Sequence, residues 1–185
     1  MGSVNGLPAH VLLVHAIVVL LPLAAVLLVS TAIWPRMRAR LAGPNAVLSL
    51  LVVVLVPLTT SAGEWLERRV TDTALVHDHT ELGDGAIFAA VPVAVLAAVI
   101  WWRNREATAA PGTGDATGGG GTATLTRQRT YLAPASLTVT RVIAAIAIVV
   151  ALYAVYDIYR IGDSGAKASW NGTVSATANA GPGRD

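Results

Sequence analysis

No cysteine occurs among the 185 residues, so the chain itself offers no disulfide, no thiolate ligand for haem iron and no iron–sulfur cluster. Charge is scarce as well. Asp, Glu, Lys and Arg make up 13% of the chain, roughly half the share found in soluble domains, and no Lys or Arg precedes Arg36. Aromatic residues contribute 5%, with a single Phe. What remains is largely aliphatic: 54% of the residues are hydrophobic and the mean hydropathy is +0.60. The apolar residues fall in blocks rather than in amphipathic stripes, and the solvent that suits such blocks is lipid.

Four runs are long enough for helices that cross a hydrocarbon core about 30 Å thick. They extend over about Ala9 to Trp34, Ala46 to Ser61, Gly85 to Trp102 and Pro134 to Tyr159. No alternating pattern suggests barrel strands, and only a helix satisfies its own backbone in lipid. The first run lacks the basic start of a signal peptide and is too long for one, so it reads as a retained span. The expected fold is all-α: a polytopic membrane protein with four transmembrane helices in an antiparallel bundle.

Basic residues set the expected orientation. Arg36, Arg38 and Arg40 follow the first span, and Arg103, Arg105, Arg127 and Arg129 follow the third, whereas the loop between the second and third spans is rich in Glu and Asp. By the positive-inside rule both basic loops are cytoplasmic and both termini lie outside. The net charge of +2 and the pI near 9.4 therefore mark topology and give no reason to expect nucleic acid as a partner.

This gives a three-span block over residues 1–103, a flexible Gly- and Thr-rich linker over 104–133, the fourth span over 134–160, and an outer motif with a disordered tail over 161–185. Pro22, Pro57 and Pro92 are positioned to kink helices. Trp34, Trp65, Trp101 and Trp102 read as interfacial anchors.

On this topology all four histidines gather at the outer side. His10 and His15 open the first span, and His77 and His79 precede the third. Glu64, Trp65 and Glu67 join them from the second span, with Asp163, Ser164, Lys167 and Trp170 from beyond the fourth. His15 lies roughly two turns inside its span at 1.5 Å per residue, a depth at which ionisable residues usually face the bundle interior. Five residues apart, His10 and His15 point about 140° away from each other and cannot easily share one metal. Each needs a partner from another helix. The obvious donors are His77 and His79, and His79 has Gly83 on the same helical face, leaving room for a bulky neighbour.

Three readings of this layer compete. Two neutral imidazoles from different helices can ligate haem iron, with Lys or Arg at the propionates. His and Glu side chains can instead form a mononuclear metal site. In the third reading the histidines hydrogen-bond to carbonyls, or to Glu64 and Asp84, and seal the end of the bundle. A Ser61, His79 and Asp84 set lacks a nucleophile elbow, Glu64 and Glu67 read as a solvated helix end, and "GTGDATGGGG" lacks the Gly-Lys ending of a phosphate loop. The chain is therefore not expected to be an enzyme by itself.

The blocks "GLPAHVLLVHAIVVLLPLAA", "PLTTSAGEWLE", "HDHTELGD" and "RIGDSGAKASW" resemble, in order and spacing, the four-span bacterial membrane proteins grouped as domain-of-unknown-function family 2231. One departure is Val11, where that pattern has a proline. The resemblance implies the same fold, a multi-pass location in the bacterial plasma membrane and no assigned activity. Relatives fused to Rieske-type domains imply a role in electron transfer. It carries over to His10, His15, Glu64, Trp65, His79, Gly83, Gly162, Asp163, Ser164, Gly165 and Trp170. The leading expectation is a b-type haem or redox subunit with its site in the outer leaflet. His15 and His79 are its axial ligands, His10 the substitute, Lys167 a partner for a propionate and Trp170 a cap. The alternative is a non-catalytic scaffold or accessory subunit whose outer polar layer binds a redox or other membrane-protein partner.

Overall fold

The computed structural model describes residues 3–4, 6–109, 130–132 and 134–171. Two short strands, β1 (Ser3–Val4) and β2 (Leu7–Pro8), pair antiparallel around a turn in which Gly6 takes a φ of 79°, a conformation that favours glycine. Five helices follow: α1 (Ala9–Ile33), α2 (Pro35–Glu67), α3 (Ala74–Asp84), α4 (Ile87–Ala109) and α5 (Leu137–Trp170). Helices α1, α2 and α5, with α3 and α4 as one unit, are the four that are long and apolar enough to cross a membrane.

Helix α1 packs on α2 and α5, and α4 closes the ring by packing on the same two. Successive spans run in opposite directions, so every side of the ring is antiparallel. Helix α3 lies across α5 and α2 at one end. The interior is built from small residues at helical spacing: Ala24, Ala25 and Ala32 on α1, Ala89, Ala90 and Ala97 on α4, and Ala147, Ala151 and Ala154 on α5 are all buried. Small side chains let helix backbones approach closely, which is how helices associate in lipid. The large apolar side chains point the other way. Val19, Val26, Val47, Leu50, Phe88 and Leu152 are exposed, as a surface bathed in acyl chains requires.

Local chemistry sets the helix starts. Pro35 occupies the first turn of α2, where its missing N–H costs nothing. Thr73 and Ser136 cap α3 and α5 by accepting from the backbone N–H groups of Val76 and Val139. Gly85 and Ala86 join α3 to α4 through tight turns bonded to Leu82 and Gly83.

Several boundaries differ from those expected. A single residue, Trp34, separates α1 from α2, so Arg36, Arg38 and Arg40 lie in a helix rather than in a loop. The second span is much longer than its apolar run because that basic turn and the segment through Glu67 are both helical. Residues 104–109 extend α4 instead of opening the linker, and "RIGDSGAKASW" is the last part of α5 instead of a motif beyond it. The rest of the glycine-rich linker, with Arg127 and Arg129, and the tail after Asn171 fall largely outside the described residues.

Candidate functional site at the histidine end of the bundle

The start of α1, the end of α2, α3 and the end of α5 converge at one end. His10, the second residue of α1, rests on the turn of α2 between Thr59 and Gly63. Its Nδ1 lies 3.0 Å from the Thr59 carbonyl oxygen. A carbonyl only accepts, so His10 carries its proton on Nδ1, and in the neutral ring Nε2 keeps a lone pair. A Cβ added at Gly63 would stand 3.1 Å from the imidazole Cε1 and Nδ1. Glycine there lets the ring lie against the helix backbone.

His79 repeats the arrangement on the other side. Its Nδ1 lies 2.9 Å from Ser164 Oγ, and that hydroxyl donates its one hydrogen to the Ile161 carbonyl at 2.9 Å. Ser164 must therefore accept from His79, which fixes the proton of this ring on Nδ1 too. Gly165 backs the imidazole so closely that a Cβ would come within 2.9 Å of Cε1. The two rings meet edge to face, with centroids 6.3 Å apart and planes at 78°. The site thus presents two imidazoles, each held by a second group through Nδ1 and each with Nε2 left as an acceptor.

His15 is not part of this pair. Its Nδ1 bonds the Val11 carbonyl of its own helix at 2.6 Å, and the residue is exposed on the outer face of α1. It is His10, rather than His15, that the structure sets beside His79. The reason is rotational: the buried stripe of α1 runs through Ile17, Leu21, Ala24 and Leu28, and seven residues before Ile17 it reaches His10, whereas His15 points about 160° away from Ile17.

The other expected residues distribute around the pair. Ser164 and Gly165 touch His79, as described. Lys167 is exposed and pairs with Asp163, Nζ to Oδ2 at 2.6 Å, so its charge is already matched one turn along its own helix. Trp170 is exposed at the end of α5. Gly83 and Gly162 have nothing within 4 Å of where a Cβ would stand, which leaves open space beside them. Glu64 is exposed, and Trp65 carries the Arg69 guanidinium 3.8 Å above its ring. His77 pairs with Glu81 at 3.3 Å on the exposed side of α3. Among the described residues no three His, Asp or Glu side chains are grouped to hold a metal ion, so a mononuclear centre drawn wholly from such ligands is not assembled.

Residues 6–178 match the family model described as predicted membrane protein (DUF2231). The chain belongs to that family. No curated protein and no solved structure matches it. The DUF2231 match spans all four membrane helices and both members of the histidine pair, and the protein is a multi-pass membrane protein.

Two features of this DUF2231 chain escaped the sequence reading. Thr59 and Gly63 form the seat of His10; they continue the buried stripe of α2 through Val52 and Val56, and that periodicity was the available signal. Asp157 is only 7% exposed on α5, and its Oδ2 is buried with no hydrogen-bond partner among the described residues. The far end of the bundle is also more built than expected. Arg38 donates from Nε to the Thr31 carbonyl at 2.9 Å and from Nη2 to that of Ala32 at 2.5 Å, closing the C-terminus of α1. Arg103, 6% exposed, donates to the Leu132 carbonyl and, at 2.9 Å, to Thr140 Oγ1. Glu106 accepts from Trp102 Nε1 and from the backbone N–H groups of Tyr131 and Leu132.

Proposed function

We propose that this protein is a membrane redox subunit in which His10 and His79 would hold a b-type haem through Nε2, with the histidine end of the bundle facing outward across the plasma membrane of a bacterium. The observation that carries this reading is the pair of Nδ1 bonds to Thr59 and Ser164, which leaves two Nε2 lone pairs from helices remote in sequence. A histidine that binds metal through one nitrogen characteristically donates from the other to a carbonyl or similar acceptor, which fixes both tautomer and ring orientation. Two such donors, with no third His, Asp or Glu grouped with them among the described residues, suit a metal whose remaining positions are filled by its own macrocycle. Gly83, one turn beyond His79 on α3, has open space where a Cβ would stand. When bound, the haem exchanges single electrons. The chain's own contribution is to hold the two imidazoles in one tautomer and brace their edges with Gly63 and Gly165. The orientation rests on Arg36, Arg38, Arg40, Arg103 and Arg105 at the opposite end.

The test is a reduced-minus-oxidised visible spectrum of detergent-purified protein reconstituted with haemin, beside His10→Leu and His79→Leu. Paired b-type bands at near-stoichiometric iron, lost in both variants, are the expected result. A spectrum of free haemin alone, unchanged by either substitution, refutes the reading.

A second reading is a non-catalytic subunit that docks a partner protein through its polar end. It is supported by α3, none of whose residues is buried and which carries His77, Asp78, Glu81 and Asp84. Charge reversal at Asp78 and Glu81 weakens a co-purifying partner if this reading holds, and leaves the spectrum untouched if the first one does.

A further inference from the structure

An apolar groove of about 530 Å³ runs along α4 at the arginine end of the bundle. Val95, Ala98, Trp101 and Trp102 line one wall, and Tyr131 and Leu132 form the other. The second wall is held by polar groups. Glu106 accepts from the backbone N–H groups of Tyr131 and Leu132, both at 3.0 Å, and Arg103 donates to the Leu132 carbonyl. Two side chains of α4 thus fix this wall, and apolar space is left between wall and helix. Its volume falls in the range of small-molecule sites, about 300–1,000 Å³. Apolar walls give water too few hydrogen-bond partners, so hydrocarbon is the filling that suits it.

The groove leads to cations. Ala98, Trp102 and Arg105 follow one another at spacings of four and three, so the α4 wall ends in Arg105 on the same face. The Arg105 guanidinium lies 5.3 Å from the centroid of the Trp101 ring. That ring also rests on α2, where a Cβ added at Gly43 would stand 3.4 Å from Trp101 Nε1. Arg40 precedes Gly43 by three residues and Arg36 precedes Arg40 by four, which places both on the face of α2 that carries Trp101. Arg36, Arg40 and Arg105 are all exposed. Among the described residues none of them is ion-paired with a carboxylate. Glu106, the one acidic side chain of α4, is engaged by Trp102, Tyr131 and Leu132.

We propose that this groove binds an anionic glycerophospholipid, with one acyl chain between α4 and the Tyr131–Leu132 wall and the headgroup at Arg105 and Arg40. Guanidinium groups match phosphate oxygens in bidentate pairs, and basic pockets between membrane helices hold anionic headgroups. Trp102 and Tyr131 have amphipathic rings suited to the level at which acyl chain meets headgroup. A free phosphate ion would answer the arginines and leave the groove empty. An apolar peptide would fill the groove and leave the arginines unanswered. An anionic phospholipid does both in one molecule. Each arginine beside an anionic headgroup raises affinity about fivefold. The site lies at the opposite end of the bundle from His10 and His79, so its test is separate from that of the haem reading.

The experiment is native mass spectrometry of the full-length, delipidated protein in detergent. It is titrated with phosphatidylglycerol and with phosphatidylcholine of the same acyl chains, whose choline cation offsets its phosphate. The expected result is one phosphatidylglycerol retained per chain, with about tenfold preference over phosphatidylcholine. Arg105→Gln lowers the affinity for phosphatidylglycerol about fivefold and leaves that for phosphatidylcholine nearly unchanged. Ala98→Phe, at an exposed position of the groove, fills the space and lowers retention of both lipids with every arginine in place. Helical circular dichroism confirms that each variant is folded. Equal retention of the two lipids by the wild type, or phosphatidylglycerol binding that either substitution leaves unchanged, overturns the inference. In the case of Ala98→Phe, unchanged binding would make the arginines a diffuse basic surface with no built site.

Discussion

The two ends of the bundle bring polar side chains into an apolar environment by opposite means. At the arginine end, the cations reach into the bundle to neutral acceptors: Arg38 donates to two carbonyls of α1, and Arg103 to the Leu132 carbonyl and Thr140. At the histidine end, each imidazole is satisfied on one nitrogen and open on the other, and Asp157 below them has an oxygen to spare. A buried polar group left short of partners costs stability in a bundle that could have used an apolar side chain instead. Those two arginines are closure. The histidine end keeps bonding capacity in reserve, and reserve of that kind is what a ligand uses.

Substitutions at the two ends should therefore fail differently. On the proposed haem reading, the largest expected effect is complete loss of reconstituted haem in His79→Leu or His10→Leu, with the fold retained, read from the visible spectrum and from helical circular dichroism. At the other end, Arg103→Met removes two hydrogen bonds from a charged donor and should lower stability by about 3 kcal/mol, measured by thermal unfolding in detergent, without altering the spectrum of the folded protein. Gly165→Ala places a methyl group within 2.9 Å of the His79 ring. The imidazole must shift away from Ser164, at a cost of about 1–3 kcal/mol for an overpacked contact and with weakened haem bands. The smallest effect belongs to His15→Leu. This side chain bonds only its own helix on an exposed face, so stability should change by no more than about 0.5 kcal/mol and the spectrum not at all. Loss of cofactor in His15→Leu would erase the distinction between the inward and outward histidines.

Much of this architecture is legible in the residues alone. Long aliphatic runs and clustered arginines define the four spans, and the histidines collect at one end on any four-span topology. Direction within a helix was harder to read. Depth favoured His15, but rotation decides which way a side chain faces, and the stripe through Ile17 and Leu21 turns His10 inward. Asp157 lay hidden for a related reason: beside Tyr153, Tyr156 and Tyr159 it looks like part of an interfacial segment, and only the packing of Ala151, Ala154 and Ile158 against the other helices buries it. The seat of His10 on Thr59 and the clamp of Arg103 on Leu132 join residues far apart in the chain, and no local pattern specifies such pairs.

The one-residue link at Trp34 bears on the order in which the molecule is made. Arg38 closes the carbonyls of Thr31 and Ala32 from only seven and six residues further along. The end of α1 is therefore sealed by the stretch of chain synthesised immediately after it, and Pro35 starts α2 without a flexible loop. The hydrogen bonds at the corner of this α1–α2 hairpin come from the two helices themselves. The direction of the second span relative to the first is therefore set within a few residues of the corner.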